Sequence, residues 1–226
     1  MYQKLIKEYF DKASLYYTEE IISRFNQFLH LLLQYNKSHD LTRITNIDEI
    51  IIKHFVDSLI ITKFITIPSP LLDIGTGAGF PGIPLAIVYP DKRFILAESR
   101  HKRTQFLSIV NESLQLKNIE IYPHLVTEKS FFEVGGVITR AVESINETLQ
   151  RCNHFLKEDN SVLLMKGPSV DEENITMSDS YLKIMDKPYT LPATSYKRRL
   201  IVYKKTNVII KKTYFINKEG RSGDGL

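Results

Sequence analysis

The chain has 226 residues, 43% of them hydrophobic, which suits one domain with a full core, alone or with an extension. No apolar run is long enough to span a membrane and no signal-peptide pattern opens the chain, so we expect a cytoplasmic protein with no membrane partner. The single cysteine, Cys152, excludes an internal disulfide and we expect it in the core, while a formal net charge of +4 does not by itself define a partner.

The first part of the chain, residues 1–66, is predicted to be a helical extension. Apolar residues recur at helical spacing from Ile21 to Leu33, and a polar, loop-like interval follows from Tyr35 to Thr45. A second helix is predicted from Asp48 to Phe64, with Asn46 or Asp48 as its N-cap. The sequence Pro68-Ser69-Pro70 then ends the helical part.

Residues 67–206 alternate between strand and helix patterns, which predicts an α/β core. The predicted strands are 71–74, 93–97, 119–122, 136–140 and 161–165, followed by two late strands at about 181–186 and 199–205. The predicted helices are 82–88, 100–115 and 143–156, and Gly167 to Ser180 is predicted to be a loop with a short helix. This order indicates a doubly wound, mostly parallel, Rossmann-like sheet that binds its ligand at the carboxyl ends of the strands.

Positive charge is concentrated at the end of the chain. From Thr190 onwards nine basic residues face two acids, Glu219 and Asp224, so this region carries about +7 and the remainder about −3. Such a region, which includes a basic tail at 207–226, favours a polyanionic partner. A solvated edge strand guarded by lysines is the structural alternative.

The most informative motif runs from Leu71 to Pro84. An apolar strand ends at Asp73, the chain turns through Gly75, Gly77 and Gly79, and Pro81 and Pro84 suit the first turn of a helix. A backbone without Cβ atoms can approach a nucleotide closely there, while the N–H groups of the helix face the ligand. We therefore predict a nucleotide-type cofactor site.

The loop by itself leaves the cofactor open. Gly77, Gly79 and Gly82 satisfy the dinucleotide fingerprint G-x-G-x-x-G, whereas the earlier acid and the shorter turn are similar to the first motif of S-adenosylmethionine methyltransferases. Glu98 ends the next strand, where an acid can accept hydrogen bonds from both ribose hydroxyls of either cofactor.

Four blocks of sequence, in order between residues 20 and 205, resemble the bacterial 16S rRNA guanine-N7 methyltransferases, the glucose-inhibited division protein B family. The blocks are Tyr35-Asn36-Lys37-Ser38-His39-Asp40-Leu41-Thr42, then Lys53-His54-Phe55-Val56-Asp57-Ser58-Leu59, then the glycine loop with Phe80-Pro81-Gly82-Ile83-Pro84, and finally Ile138-Thr139-Arg140-Ala141 with Leu164-Met165-Lys166-Gly167. The family usually has Trp at the Tyr35 position, Asn at the Asp40 position and, in many members, Asp at the Glu98 position.

The resemblance implies a class I S-adenosylmethionine-dependent fold and methylation of a guanosine in the decoding-region loop of 16S rRNA. It implies the small ribosomal subunit as partner, and we expect a monomer. It also implies cofactor contacts from Gly75, Phe80, Val126, Thr127 and Arg140, in addition to the motif residues Asp73, Gly77, Gly79 and Glu98. Val126 and Thr127 form the predicted adenine segment, because they follow the third strand, where backbone N–H and C=O groups could contact adenine.

The chemistry of guanine N7 agrees with the absence of an obvious catalytic group. The chain has no Asp/Asn-Pro-Pro-aromatic motif for amino-group methylation, and Cys152 lies on a helix away from the predicted site. The N7 lone pair is unprotonated at neutral pH, so we predict no catalytic base and no metal, with alignment supplying the rate. The candidates for positioning the substrate are Asn36, Lys53 and Arg140.

Other polar and aromatic residues have more than one interpretation. Lys53 and Asp57 are four apart on one helix and could form an ion pair, and His54 could position RNA or cofactor or simply pack. An aromatic ring such as Phe80 or Tyr35 could stack on a flipped guanine. The predicted phosphate contacts are Lys197, Arg198 and Arg199.

Two other classes of protein share some of these features. An NAD(P)-dependent oxidoreductase would need a hydride-transfer site, but the one Tyr-x-x-x-Lys spacing, Tyr214 to Lys218, lies beyond the last predicted strand. A non-catalytic RNA-binding module would not need the intact motif from Asp73 to Glu98. NAD binding would favour the first alternative, and RNA binding without cofactor binding the second.

Overall fold

The computed structural model describes residues 1–140, 143–168 and 179–206. Its helices are α1 (Gln3–Lys12), α2 (Glu19–His39), α3 (Ile47–Ile50), α4 (Asp57–Ile60), α5 (Gly82–Val88), α6 (His101–Leu114) and α7 (Ile145–Cys152). A π-helical segment, Ile51–Val56, joins α3 to α4, and a 3-10 turn, Ile61–Lys63, follows α4. No helix in the described parts of the chain is long and apolar enough to cross a membrane.

Seven strands form one sheet in the order β3-β2-β1-β4-β5-β7-β6. They are β1 (Leu71–Ile74), β2 (Phe94–Ala97), β3 (Ile119–Tyr122), β4 (Gly136–Arg140), β5 (Ser161–Lys166), β6 (Tyr181–Thr190) and β7 (Lys197–Lys205). The first five are parallel, whereas β7 is antiparallel to both β5 and β6. The predicted doubly wound, mostly parallel α/β sheet is confirmed. The antiparallel β6–β7 hairpin distinguishes it from the parallel 3-2-1-4-5-6 order of dinucleotide-binding domains.

Helix α2 is longer than the sequence pattern predicted. The polar stretch from Tyr35 is helical up to His39, and the chain turns at Asp40, which has a left-handed φ of 48°. The loop prediction was wrong for residues 35–39 because polar residues also suit the last turn of a helix, where Lys37 and His39 face the negative end of the dipole. The predicted apolar stripe is buried from Ile21 to Leu32.

The second predicted helix is present but is not a regular α-helix. Asn46 is its N-cap, because the Asn46 side chain accepts a hydrogen bond from the Glu49 backbone N–H at 3.0 Å. Its apolar side chains are buried: Ile51, Ile52, Phe55, Val56, Leu59 and Ile60. The π-helical segment within this helix carries Lys53 and His54, and π segments are frequent at functional sites.

Apolar side chains cover both faces of the sheet. One buried cluster joins α1, α2 and the 47–63 helix to α5, α6 and one face of the sheet, so the N-terminal helices share a core with the strands. The other face packs against α7 and includes Cys152, whose thiol pKa is raised by burial. Cys152 is therefore a core residue, as predicted.

Several predicted features lie outside the described residues. They are the basic tail at 207–226, the Tyr214 to Lys218 spacing, Ala141 of the fourth motif block and most of the predicted 167–180 loop. The division into 1–66, 67–206 and 207–226 stays a prediction. The two late strands are longer than predicted, reaching Thr190 and beginning at Lys197.

Candidate cofactor and acceptor site

The glycine loop between β1 and α5 adopts the conformation for which glycine is suited. Gly75, Gly77 and Gly79 have φ values of 67°, 62° and 93°. A Cβ atom on Gly79 would lie 2.2 Å from Cδ1 of Ile83, and the positive φ would strain a larger residue there. Gly75 and Gly77 are partly exposed, so the loop presents backbone at the carboxyl end of β1.

Asp73 lies beneath this loop and holds it in place. Its Oδ2 accepts hydrogen bonds from the Thr76 hydroxyl at 2.6 Å and from the Gly82 backbone N–H at 2.8 Å. Burial raises the pKa of Asp73 to about 6, while those two hydrogen bonds oppose the rise. Its Oδ1 is buried without a hydrogen-bond partner, as is Oγ1 of Thr139 on the neighbouring strand β4. A buried carboxylate oxygen without a partner suits a cationic ligand.

Glu98 stands at the end of β2, where the sequence predicted the ribose contact. It is buried, its Oε1 accepts from the Arg100 backbone N–H at 2.8 Å, and its Oε2 lies 3.4 Å from Nη1 of Arg103. Gly75, Glu98 and Val126 line one pocket at this edge of the sheet. The structure thus brings the glycine loop, the predicted ribose acid and the predicted adenine segment together.

Some backbone groups of the predicted adenine segment already form hydrogen bonds within the protein. The Val126 carbonyl accepts a hydrogen bond from Nη1 of Arg151 at 2.5 Å, and the Thr127 N–H donates to Oγ of Ser130 at 2.9 Å. Arg151 also forms a two-bond ion pair with Glu143, with N···O distances of 3.1 and 2.5 Å. The sequence analysis did not predict this ion pair. A signal was available, because the capping box with Ser144 as N-cap marks the start of α7, the helix that carries Arg151.

Phe80 and Tyr35 pack against other aromatic rings. Phe80 is 5% exposed, stacks on His54 with ring centroids 4.5 Å apart, and lies 5.2 Å from the Arg140 guanidinium carbon. Tyr35 packs on the rings of His39 and Phe106. Stacking of either ring on a flipped guanine stays a prediction: Phe80 is buried against His54, and Tyr35 is partly buried against α6.

Arg140 lies at the end of β4 and binds the π-helical segment. Its Nη1 donates to the Lys53 carbonyl at 2.9 Å, and its Nη2 lies 3.1 Å from Nδ1 of His54. Because a guanidinium can only donate, Nδ1 of His54 is the acceptor, and the other ring nitrogen carries the proton toward Thr42 Oγ1 at 2.9 Å. Burial and the charge of Arg140 lower the pKa of His54 to about 3, so this imidazole is neutral.

Asp57 and Lys53 do not form the ion pair that their spacing suggested. Lys53 pairs with Glu49 at 2.8 Å and its Nζ lies 4.1 Å from the centre of the Tyr196 ring. Asp57 is instead 2% exposed and faces Arg140 and Arg198. The hypothesis was wrong because buried arginines on the sheet compete for the same carboxylate.

A cleft of about 340 Å³ lies beside Arg140, at the ends of β4, β5 and β7. Among the residues that the structure describes, its charged and polar lining consists of Lys53, His54, Asp57, Arg140, Lys166 and Arg198. Four of these side chains are cationic, one is anionic and the imidazole is neutral, so the cleft is strongly positive. We call it the acceptor cleft.

Asn36 acts on this cleft through a loop. Its side-chain amide donates to the Thr42 carbonyl at 2.9 Å and accepts from the Thr42 N–H at 2.8 Å. This fixes Thr42, the hydrogen-bond partner of His54. Asn36 therefore supports the wall of the cleft rather than lining it.

The three predicted phosphate residues differ in their surroundings. Arg198 pairs with Asp57 at 3.2 Å, and Arg199 forms a two-bond ion pair with Asp186 at 2.5 and 2.6 Å. Lys197 is exposed and has no ion pair among the residues that the structure describes. Of the three, Lys197 is thus the most available to a phosphate.

The sheet order, the glycine loop with its buried acid, and the adjoining pocket and cleft define a class I methyltransferase. A model of the rRNA small subunit methyltransferase G family matches residues 21–202. The chain is 40% identical to Ribosomal RNA small subunit methyltransferase G 2 of Bdellovibrio bacteriovorus, over 79% of this chain and 71% of that protein. It is 38% identical to Ribosomal RNA small subunit methyltransferase G of Francisella philomiragia, over 83% of this chain and 90% of that protein. The chain belongs to this family.

Solved structures support the fold. A mutant of MtNAS in complex with S-adenosylmethionine is similar with a TM-score of 0.57, at 13% identity over 80% of this chain and 74% of that chain. The predictions of the family, of a methyltransferase and of S-adenosylmethionine as cofactor are confirmed. The oxidoreductase and non-catalytic alternatives are set aside.

The residues around the loop fit this cofactor. The unpartnered Oδ1 of buried Asp73 suits a cation, and the partly exposed Gly75 and Gly77 with Glu98 suit an adenosine. Which residues touch the cofactor stays a prediction. Asp73 has its Oδ2 bound to the loop, and Phe80 has its ring bound to His54.

Proposed function

We propose that the chain methylates N7 of a guanosine in the RNA of the small ribosomal subunit, with S-adenosylmethionine as methyl donor. The observation that carries the proposal is a positive acceptor cleft at the ends of β4 and β5, beside the glycine loop, in which the candidate bases are neutral or paired. The names of the relatives support ribosomal RNA of the small subunit as the substrate.

The cofactor half of the site would hold S-adenosylmethionine through the glycine loop and the residues after β2 and β3. Asp73 and Thr139 offer buried oxygen atoms near the loop, Glu98 offers its carboxylate, and Gly75 and Val126 form the walls. The bound cofactor supplies a sulfonium methyl group for in-line transfer.

The acceptor half would recognise guanine by its Hoogsteen edge. Guanine has two adjacent acceptors there, O6 and N7, and cationic side chains are its usual partners. With N7 directed to the methyl group, O6 remains for a donor, and Lys53, Lys166 and Arg198 bring donors into the cleft. The target base must leave its stack to enter a cleft this deep.

The residues in the cleft do not need to remove a proton. Guanine N7 carries a lone pair, and its methylation moves a positive charge from sulfur to the base without releasing a proton. The low pKa of His54 keeps its ring neutral, and its Nδ1 lone pair is already bound to Arg140. Catalysis then depends on alignment, for which effective molarities on the order of 10⁵ M or more are possible.

The RNA would approach across the start of β7 and the helical extension. Lys197 is exposed at the start of β7, and Lys53 and Arg198 line the acceptor cleft. We propose that the protein acts as a monomer in the cytoplasm, on the small ribosomal subunit or its RNA.

The experiment is methyl transfer from labelled S-adenosylmethionine to small subunits that lack the modification, followed by nucleoside analysis. Labelled 7-methylguanosine is the expected product. Label in another nucleoside would overturn the choice of N7 while keeping the methyltransferase. The Gly75→Asp variant controls for cofactor dependence, and substrate RNA containing 7-deazaguanosine, which lacks N7, should accept no methyl group.

A further inference from the structure

Among the described residues that line the acceptor cleft, Asp57 is the one carboxylate, and it is buried. Asp57 is 2% exposed and receives partners from three strands. Its Oδ1 accepts from the Tyr189 hydroxyl on β6 at 3.1 Å, and its Oδ2 accepts from Nε of Arg198 on β7 at 3.2 Å. The same Oδ2 lies 3.8 Å from Nη1 of Arg140 on β4.

We propose that Asp57 is the positioning residue of the acceptor cleft, which sets Arg140 and Arg198 in the geometry that aligns the base with the methyl group. This inference rests on the proposed function. Asp57 is buried, and each of its oxygen atoms has a partner among the described residues, Tyr189 on one and the arginines on the other. It therefore acts through the two arginines.

The two arginines need such an anion to lie in one cleft. Their side chains are only 18% and 25% exposed, and β5 alone separates their strands in the sheet. Like charges at short range in a poorly solvated site repel strongly. Burial and the charge of Arg198 lower the pKa of Arg140, while Asp57 raises it. Asp57 thus offsets part of the repulsion between the two arginines.

The position of Asp57 also connects the two halves of the site. Arg140 contacts the Phe80 ring in the glycine loop and the carbonyl of Lys53. Arg198 lies at the start of β7, where we expect the RNA to bind. Tyr189 lies opposite Arg198 in the β6–β7 register and holds the other oxygen of the carboxylate. A rotation of Asp57 would therefore shift the cofactor side and the RNA side together.

The neighbouring pair Arg199–Asp186 provides a matched control. Arg199 follows Arg198 on β7, so it faces the opposite side of the sheet, and it pairs with Asp186. Asp186→Asn removes the same charge as Asp57→Asn and takes one ion-pair partner from an adjacent arginine. Asp186 is not part of the acceptor cleft.

The test compares Asp57→Asn with Asp186→Asn in steady-state methyl transfer and in RNA binding without cofactor. A misplacement on the scale of an ångström costs about 100-fold in rate, so we expect kcat of Asp57→Asn to fall by about that factor. The KM for RNA should not rise, because the substitution adds a positive charge to the cleft. Binding to RNA should depend at least as steeply on salt as in the wild type. The kcat of Asp186→Asn should stay at the wild-type level.

Tyr189→Phe keeps the test decisive if Asp57→Asn fails to fold. It removes one hydrogen bond from Asp57 without changing any charge, and we expect kcat to fall by about 10-fold at unchanged RNA affinity. A wild-type kcat in Tyr189→Phe, or equal kcat values in the two Asn variants, would overturn the proposal. A wild-type product other than 7-methylguanosine would overturn the proposed function and leave this comparison of rates intact.

Discussion

The two halves of the site are held by different kinds of interaction. In the cofactor half, the backbone of the glycine loop is held by one carboxylate, Asp73, nine residues before Gly82 in the chain. In the acceptor half, side chains from the 47–63 helix, β4, β6 and β7 meet at Asp57. A site built from local backbone tolerates few residue types, whereas a site built from distant ion pairs depends on each partner's charge.

The largest effect on cofactor binding is expected in the cofactor half, from Gly75→Asp. Gly75 has a φ of 67° and lines the pocket that contains Glu98. An aspartate there would be strained, would fill the pocket and would place a second carboxylate beside Glu98. We expect a loss of S-adenosylmethionine affinity of about 100-fold or more, measured by calorimetric titration, with about 2.8 kcal/mol corresponding to that factor.

Gly167→Ala is the control for this substitution. A Cβ atom at Gly167 meets nothing within 4 Å, so the variant should bind the cofactor like the wild type. Normal S-adenosylmethionine affinity in Gly75→Asp would show that the glycine loop does not contact the cofactor. The cofactor half would then not be held by local backbone, as we have described it.

The neutral imidazole of His54, in the acceptor half, contributes to the free energy of unfolding, and this contribution is lost in acid. Its pKa is about 3 in the folded protein against an ordinary 6.5, so the unfolded chain binds the proton more tightly. The stability is fully present above pH 6.5 and is lost as the pH falls toward 3, by about 4–5 kcal/mol. In urea unfolding from pH 7 to pH 4, His54→Gln should lose stability less steeply than the wild type. Equal slopes would show that the ring is protonated in the folded state.

Asp73, in the cofactor half, has the opposite effect on how the free energy of unfolding depends on pH. Its pKa is raised from an ordinary 3.8 to about 6, so the folded protein binds the proton more tightly. Its contribution to stability therefore falls as the pH rises from 4 to 6, by about 3 kcal/mol, and stays low above pH 6. The advantage of the wild type over Asp73→Asn should shrink by that amount over this range. A constant difference would place the ionised carboxylate in a more polar environment than the structure shows.

The same contrast explains what could be predicted from sequence. The strands from Leu71 to Lys166, the Asn46 cap and the glycine loop depend on short-range patterns, and their positions were predicted to within a few residues. The partner of Asp57 was predicted wrongly because spacing along one helix identifies a neighbour, Lys53, but not arginines that arrive from strands about 80 and 140 residues away. The end of α2 at His39 was missed because polar composition does not distinguish a last helical turn from a loop.

The smallest effect is expected from phosphate binding at the start of β7. This prediction tests whether an exposed lysine and an ion-paired arginine on the same strand contribute differently to RNA binding. Lys197→Gln should reduce the slope of log affinity for RNA against log salt by about 0.7, because an exposed cation releases its counterions on binding. The double variant Arg199→Gln with Asp186→Asn keeps the net charge and should leave the slope unchanged, because that arginine is already held by two hydrogen bonds. If the double variant flattened the slope as much as Lys197→Gln, Arg199 would exchange Asp186 for a phosphate. The Arg199–Asp186 pair would then be an RNA contact that exchanges its partner, unlike the Arg198–Asp57 pair of the acceptor half.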